Sequence, residues 1–264
     1  MGRRTSIGLC LLCALAVSAF AAQSASAITG TTAFTCKKKA TEGGAGFSAA
    51  HCRGGDAVAS GAKYEHATIE QGLTTELSGT NANTASGTTA ASEIKLRNTQ
   101  AGVDYEIVGS KVSGVGSVTN AKTEAGEHYV HGTAVVTFEG LTVTKPSGKG
   151  CKVKEAKIES KLLKATTQGQ GDFLKFEPAE GTTMAVYTLE GCVPESLNGE
   201  QNVTGSIKCP VDGSTITCSH SETTSFGTLK ERGFNSGVDG SMTLSAKAKG
   251  GGEYTPLSVT TITT

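Results

Sequence analysis

The chain has 264 residues, with 24 basic and 24 acidic side chains, no Trp, 35 Gly and 8 Cys, and only 18% of its residues are charged. Disordered chains combine few apolar residues with strong self-repulsion, and a balanced charge excludes that class. Thr contributes 37 residues. Because this β-branched type suits pleated strands and abundant Gly weakens helices, the composition predicts a packed, all-β chain.

The first 27 residues have the layout of a secretory signal. Arg3 and Arg4 give a positive start, residues 7–22 are apolar and uncharged, and residues 25–27 (Ala-Ser-Ala) form a small-residue cleavage site. The apolar run is short for a helix that spans a bilayer. We expect cleavage after Ala27, which leaves a slight excess of acidic side chains, no membrane span, and a secreted or cell-surface protein.

Several classes of ligand have no pattern in this sequence. A nucleic-acid binder needs a basic face with interleaved aromatic residues, whereas the one basic run, residues 37–39, has the character of a solvated loop. The sequence contains no phosphate-binding Gly-rich loop and no metal-ligand spacing. We therefore expect no cofactor, no metal and no nucleic acid, and an extracellular or cell-envelope partner whose chemistry the sequence does not specify.

The cysteines predict three disulfides. Cys10 and Cys13 leave with the signal, and the six others would then lie in an oxidising compartment. Fifteen pairings are formally possible, and we favour the pairing of chain neighbours. The predicted pairs are Cys36 with Cys52, Cys209 with Cys218 and, by elimination, Cys151 with Cys192.

A geometric argument supports the pair within residues 209–218. Residues 213–214 (Gly-Ser) fit a two-residue hairpin turn of the Gly-first type. That turn places Val211 opposite Ile216, and it puts the two cysteines opposite each other at a non-hydrogen-bonded position, where the Cα atoms come closest. Because Pro210 cannot donate to a ladder, we expect this strand to lie at an edge or to carry a bulge.

The residue pattern along the rest of the sequence favours strands. Stretches with alternation or β-branched residues are separated mostly by Gly-bearing turns, which is typical of a sandwich or barrel. Residues 152–165 fit a short helix or a strand, and we favour a strand. Residues 78–92 carry no charge and no large side chain, so we expect a long loop there. The predicted strands cover residues 32–36, 66–71, 93–97, 103–108, 133–138, 141–144, 172–176, 183–189, 215–224, 241–246 and 254–261.

These patterns define the predicted fold class and domain organisation. We expect an all-β, antiparallel sandwich or barrel of about 11–14 short strands, stapled by disulfides. It would form a single domain over residues 28–264, with a possible subdivision near residues 145–150.

One segment resembles a known family. Residues 47–52 (Phe-Ser-Ala-Ala-His-Cys) are similar to the segment around the catalytic His of trypsin-like serine proteases, and Cys36 stands where that family has the disulfide partner of Cys52. The resemblance implies a double-barrel fold with His51 as the general base. It also implies Asp104, in a strand-like stretch, as the carboxylate that holds the His tautomer.

The remainder of the chain departs from that family. The chemistry needs a nucleophile beside an oxyanion hole, which the family supplies as Gly-Asp-Ser-Gly-Gly. The nearest segment here, residues 234–238, is Phe-Asn-Ser-Gly-Val, with Ser236 as the candidate nucleophile. The match is thus confined to residues 36–52. We interpret His51 as a loop residue beside a structural disulfide and assign no catalytic residue, with the triad of His51, Asp104 and Ser236 as the alternative.

The chain as a whole is similar to exported β-rich proteins of high-GC Gram-positive bacteria that have no assigned function. The similarity lies in the signal, the strands rich in Thr, Gly and Ala, and the scattered pairs of Cys. It implies an extracellular or cell-surface protein of structural or interaction type. We expect no catalytic activity, and the alternative is a trypsin-like protease or an inactive relative of one.

Overall fold

In the computed structural model, the described residues are 29–50, 52, 54–81, 93–147, 150–170, 172–219, 228–247 and 254–263. They form nineteen β-strands and two short 3₁₀ turns, Gly54–Asp56 and Glu195–Leu197, and none of them belongs to an α-helix. The all-β prediction is confirmed. The predicted signal lies outside the described residues.

The strands carry the numbers β1 to β19 in chain order. Most are short, but β7, β8 and β18 have 20, 18 and 14 residues. The strands are β1 (Thr29–Lys38), β2 (Gly46–Phe47), β3 (Ala57–Val58), β4 (Tyr64–Thr68), β5 (Thr75–Asn81), β6 (Ile94–Gln100), β7 (Val103–Lys122), β8 (His128–Lys145), β9 (Lys152–Val153), β10 (Lys157–Glu159), β11 (Leu163–Thr166), β12 (Phe173–Pro178), β13 (Thr183–Glu190), β14 (Gly199–Thr204), β15 (Ile207–Asp212), β16 (Thr215–Ser219), β17 (Lys230–Glu231), β18 (Phe234–Lys247) and β19 (Tyr254–Thr263).

Eight antiparallel strands close into a ring, which we call the first ring. The order is β5, β7, β8, β11, β12, β15, β16 and β18, and each strand pairs with the next. The ring closes where β18 pairs with β5. This closure corresponds to the barrel alternative of the prediction, and it removes the free edges that an open sheet would expose.

A second ring is stacked on the first along the three long strands. It consists of β6, β7, β8, β10, β13, β14, β17 and β18. Its gap between β10 and β13 is closed by a single bridge from Ser160 to Ala185. Residues 236–239 of β18 pair with β6, and residues 242–246 pair with β5. The same strand therefore forms a wall of both rings.

Each ring encloses its own apolar core. Leu163, Leu174 and Leu244 belong to the first core, whereas Ile107 and Leu189 belong to the second. The alternation of side chains along each strand sends every second residue inward. Strands from both sides of residues 145–150 share these ladders, because β10 and β11 pair back onto β8.

The terminal strands pack beside the first ring. β1 pairs with β19 over seven residue pairs and with β4 over five. Asn120 of β7 fixes β1 to the ring: its Oδ1 accepts the Ala33 amide, and its Nδ2 donates to the carbonyls of Ala33 and Ile69, all at 2.9 Å. Every polar group of this buried side chain is thereby satisfied.

The three predicted disulfide pairs are confirmed. Their Cα–Cα distances are 5.8, 3.9 and 4.5 Å in chain order, and they bridge sequence separations of 16, 41 and 9 residues. The Cα–Cα distance of 4.5 Å in the third pair is that of a non-hydrogen-bonded antiparallel position. The pairs are Cys36 with Cys52, Cys151 with Cys192, and Cys209 with Cys218.

The hairpin of β15 and β16 has the predicted register, with Val211 opposite Ile216. Neither alternative of the prediction holds, because β15 lies between β12 and β16 rather than at an edge and neither of its ladders has a register shift. On the β12 side the Val211 amide donates to the Asp172 carbonyl, so the nitrogen of Pro210 is directed toward β16. The pairing between β15 and β16 covers only Val211 and Asp212. Pro210 lies outside that ladder, so no backbone donor is needed at its position.

Several local predictions differ from the fold: the described strands number nineteen rather than about 11–14, and β4 ends at Thr68, before the predicted limit at residue 71. Residues 78–81 were expected in a loop but belong to β5, and residues 82–92 lie outside the described part of the chain. Residues 133–138 and 141–144, expected as separate strands, are parts of β8. The window 152–165 forms short strands, as predicted. Within the described ranges, no helix has the length and hydrophobicity that crossing a bilayer would take.

Candidate functional site

The residues of the protease alternative have separate surroundings. His51 lies outside the described residues. Asp104 on β7 is exposed, and its Oδ1 accepts a hydrogen bond from Thr99 Oγ1 at 2.7 Å. Ser236 on β18 is 3% exposed, and its Oγ donates to the Arg97 carbonyl at 3.1 Å. Each of these two side chains is thus engaged by a neighbouring strand.

The register places Asp104 and Ser236 on opposite faces of the sheet. Ser236 lies opposite Asn98 of β6, and Asn98 lies opposite Tyr105 of β7. Side chains in register share a face, and sequence neighbours on a strand point to opposite faces. Asp104 is therefore directed away from the face that carries Ser236, and the structure does not bring this pair together.

The surroundings of the Cys36–Cys52 disulfide contain a different histidine. His66 lies opposite Cys36 on the neighbouring strand. Its ring stacks on Phe34 at 4.6 Å and packs against Phe47 at 4.5 Å. Burial lowers the pKa of His66 despite a hydrogen bond with the Cys52 backbone. Its Nε2 has no hydrogen-bond partner among the described residues. The burial of this histidine therefore favours its neutral form.

A hydrogen-bonded chain of three polar side chains lies inside the second ring. The hydroxyls of Tyr105 and Tyr187 are 2.9 Å apart, and the Tyr187 hydroxyl donates to Glu231 Oε1 at 2.5 Å. The three residues are 1%, 4% and 2% exposed. Burying a carboxyl group is costly unless it is hydrogen-bonded or neutral. These three hydrogen-bonded side chains are the strongest departure from an ordinary apolar interior in the described fold.

Burial governs the ionisation of this polar chain. It raises the pKa of Glu231, while hydrogen bonds from Tyr105 and Tyr187 act in the opposite direction. Burial also raises the pKa of both tyrosines, and the neighbouring Glu231 adds to that effect. The site therefore favours a neutral carboxyl beside two neutral phenols, which is an arrangement of donors and acceptors rather than a charged centre.

A short hairpin positions Glu231. This residue pairs with Val203 of β14 on one side and with Phe234 of β18 on the other. Arg232 and Gly233 have φ values of 48° and 85°, the left-handed conformations that a tight connection needs. Alternation then directs Glu231 inward and the residues on either side of it outward. The Arg232 guanidinium donates to the Ser196 carbonyl at 2.9 Å, which fixes the turn from outside.

Buried amides surround the polar chain. Asn98 is 1% exposed, and its Nδ2 lies 3.5 Å from the Glu231 carbonyl. Its Oδ1 finds no hydrogen-bond partner in the described part of the chain. Gln100 Nε2 donates to Gln201 Oε1 at 3.1 Å, and Gln201 Nε2 donates to the Leu197 carbonyl at 2.8 Å. Asn98 Oδ1 is thus a buried acceptor with unused capacity.

An apolar cavity of about 180 Å³ lies beside Tyr187 and Glu231. Its lining includes residues of both cores, among them Leu163 and Leu174 of the first and Ile158 of the second. Tyr187, Glu231 and Ser236 also belong to the lining and are polar. A mostly apolar cavity with a few convergent polar groups is the usual form of a site for a small molecule.

The described residues contain no group of three or more His, Cys, Asp and Glu side chains that could hold a metal ion. The apolar lining of the cavity and its polar side chains can bind a small molecule through apolar contact and hydrogen bonds. The cavity offers no assembled nucleophile within the described ranges.

Sequence reasoning missed this site. Glu231 stands between Lys230 and Arg232, and a run of charges is ordinarily a solvated face. β17 has two residues, which is too short for an alternation pattern. The available signal lay in the tyrosines: Tyr105 precedes Ile107 by two positions, and Tyr187 precedes Leu189 by two. This spacing places each phenol on the inward face of its strand.

Comparisons with known protein families, with curated proteins and with solved structures return no match to this chain. Its class is therefore defined by its own architecture. Two antiparallel rings share three strands, three disulfides stabilise them, and a buried carboxyl lies beside an apolar cavity.

Proposed function

We propose that this chain is an exported extracellular or cell-surface protein of structural or interaction type, without catalytic activity. The observation that supports this proposal most directly is the set of three disulfides, in which all six cysteines of residues 28–264 are used. Structural disulfides form and persist in oxidising compartments and are rare in the cytosol. The signal-like segment at residues 1–27 agrees with a location outside the cytosol.

The fold favours a rigid scaffold. Ring closure protects strand edges, and the disulfides tie β15 to β16 and anchor β1 and the segments around residues 151 and 192. A closed, disulfide-linked fold of this kind suits a protein that acts outside the cell. Its partner would be another component of the extracellular space or cell envelope.

Fractionation of a bacterium that expresses the full chain tests export. We expect the protein in the culture supernatant or on the cell surface, with Ile28 at its amino terminus and no free thiol. An Ala27→Arg variant should keep its signal or remain cell-associated, because cleavage sites require small residues. Full-length protein in the cytosol with eight free thiols would contradict the proposal.

A second experiment tests the absence of catalysis. The exported chain, incubated with a peptide library and a fluorophosphonate probe, should show neither turnover nor labelling. The Ser236→Ala variant is the matched control. Labelling of the parent protein that disappears in this variant would overturn the non-catalytic proposal and support the protease alternative.

A further inference from the structure

The walls of the cavity consist mostly of apolar side chains from both cores. Leu174 and Leu244 belong to the first core and Ile158 to the second, and all three are buried. Protein interiors are normally close-packed, and a cavity of about 150 Å³ lined by Leu, Ile and Phe stays dry and binds benzene. The cavity here, of about 180 Å³, therefore suits an apolar molecule of similar or slightly larger size.

The buried polar side chains of the lining all make hydrogen bonds within the protein. Tyr187 donates to Glu231, Ser236 donates to a backbone carbonyl of β6, and the Ser160 hydroxyl accepts a backbone amide of β8. A polar ligand would have to displace one of these hydrogen bonds, and breaking a buried hydrogen bond is costly. A hydrocarbon leaves all of them intact.

The volume and the course of the cavity set the size and shape of its ligand. A methylene group takes up about the volume of one water molecule in the liquid, about 30 Å³, so the cavity has room for about six carbons. The lining follows β18 from Ser236 in the second ring to Leu244 in the first, and it follows β8 from Phe138 to Val130. An unbranched chain can extend along this direction, whereas a branched molecule with the same number of carbons is wider.

One part of the wall can adjust to the ligand. Gly79 and Gly114 lie opposite each other on neighbouring strands, and the side chain of Met242 covers the space beside both. Met is unbranched and has several rotatable bonds. Its movement would let the cavity accept the end of a flexible chain.

We propose that this cavity binds a small uncharged hydrocarbon, an unbranched alkyl chain of about six carbons that lies between the two cores. Apolar contact supplies the affinity, since each buried methylene group should tighten binding about fourfold. The hydrogen bonds of Tyr187, Glu231 and Ser236 stay in place around the chain. A charged head group inside the cavity would lose its hydration without gaining a partner of opposite charge.

Ligand selectivity tests the proposal. Binding of n-pentane, n-hexane, 2,2-dimethylbutane, 1-pentanol and hexanoate to the oxidised chain would be measured as the rise of the urea midpoint with ligand concentration, and headspace partition would confirm it for the alkanes. We expect n-hexane to bind about fourfold more tightly than n-pentane. It should bind about tenfold more tightly than 1-pentanol, which has the same number of heavy atoms but buries a hydroxyl.

The other two probes test the shape and the polarity of the cavity. The branched isomer 2,2-dimethylbutane should bind about fivefold more weakly than n-hexane because it is wider, and hexanoate should not bind. Equal binding of n-hexane and 1-pentanol, equal binding of the two isomers, hexanoate binding as tight as that of n-hexane, or no binding of n-hexane up to its solubility would overturn the proposal.

Three variants locate the site. Ala165→Met places a larger side chain in the cavity, where Ala165 lies opposite Gly132, and should weaken n-hexane binding about tenfold. Ala57→Met, at an exposed position of β3 outside the lining, is the matched control and should change the affinity less than about twofold. Leu244→Ala enlarges the cavity, so n-octane should bind about fivefold more tightly than n-hexane in this variant but not in the parent protein.

Circular dichroism and the unfolding midpoint without ligand verify that each variant is folded. If a cavity variant does not fold, the selectivity of the parent protein decides the question. Unchanged n-hexane affinity in a folded Ala165→Met variant would show that the molecule binds elsewhere, and the proposal would fail.

Discussion

The two cores share β7, β8 and β18 as walls but differ in content. The first core consists of aliphatic side chains and the Cys209–Cys218 disulfide, and its polar neighbour Asn120 makes three hydrogen bonds to backbone groups. The second core includes Tyr105 and Tyr187, and Glu231 is buried against them. Ring closure requires only inward apolar residues, as the first core demonstrates. Ring closure alone therefore does not account for the buried carboxyl in the second ring.

The largest expected difference between the rings concerns their disulfides. Cys151→Ala with Cys192→Ala opens a loop of 41 residues beside the second core, and chain entropy predicts a loss of about 4 kcal/mol in the free energy of unfolding. Cys209→Ala with Cys218→Ala opens a separation of 9 residues in the first core, with an expected loss of about 3 kcal/mol. Urea unfolding of the oxidised proteins measures both. A larger loss for the Cys209–Cys218 pair would show that core packing outweighs loop entropy.

The next effect concerns the polar residue at the margin of the first core. Asn120→Ala should lower the free energy of unfolding by about 2–4 kcal/mol, because it leaves the buried amide and carbonyl of Ala33 and the carbonyl of Ile69 without their partner. Asn202→Ala, at an exposed position of β14, is the matched control and should stay within about 0.5 kcal/mol of the parent. Equal effects of the two substitutions would refute the assigned role.

The second core should lose stability through Glu231 as the pH rises above the pKa of an unfolded carboxyl group. Its pKa is raised in the folded state by burial, so the folded protein binds more protons than the unfolded one above the unfolded pKa of about 4.3. Stability should therefore decrease as the pH rises from that value toward the raised pKa. Glu231→Gln should remove this decrease, as measured by urea midpoints between pH 4 and pH 8. A decrease of equal size in the variant would assign the dependence to another group.

The smallest expected effect lies outside both cores, at His66. Burial lowers its pKa in the folded state, so below the unfolded value of about 6.5 the unfolded chain binds more protons. Stability should be complete above that pH and should fall as the solution becomes more acidic. His66→Gln should flatten this acid limb, whereas His131→Gln, exposed on β8, should leave it in place. Urea midpoints at pH 8 and pH 5 provide the measurement.

The parts of the fold that depend on local chemistry could be predicted from the sequence. The hairpin at residues 209–218 follows from its Gly-Ser turn, because a two-residue turn fixes the register of both strands. That register then brings the two cysteines together. The other two pairs followed from chain proximity and elimination, which the structure supports but which carries no geometric argument.

The closed rings could not be predicted in this way. They depend on the pairing of β18 with β5 and β6, which are more than a hundred residues distant in sequence, and no local pattern specifies such partners. Residues 78–81 illustrate the same limit. Small residues there indicated a loop, yet Gly79 lies within β5, where the side chain of Met242 occupies the space beside it.

The candidate site was predictable only in part. The triad of His51, Asp104 and Ser236 came from residue types in order along the chain, but the faces of the strands separate Asp104 from Ser236. Glu231 gave no signal because its neighbours in sequence are charged and its strand has two residues. Its burial results from pairing with β14 and β18 on either side, which is a tertiary effect.

The three long strands also determine how the molecule comes apart. Separating β7 from β8 breaks sixteen residue pairs that extend through both rings, so neither ring can open while the other keeps its wall. Unfolding should consequently occur as one cooperative transition rather than ring by ring. Amide hydrogens in the middle of β7 and β8 should exchange only through global unfolding.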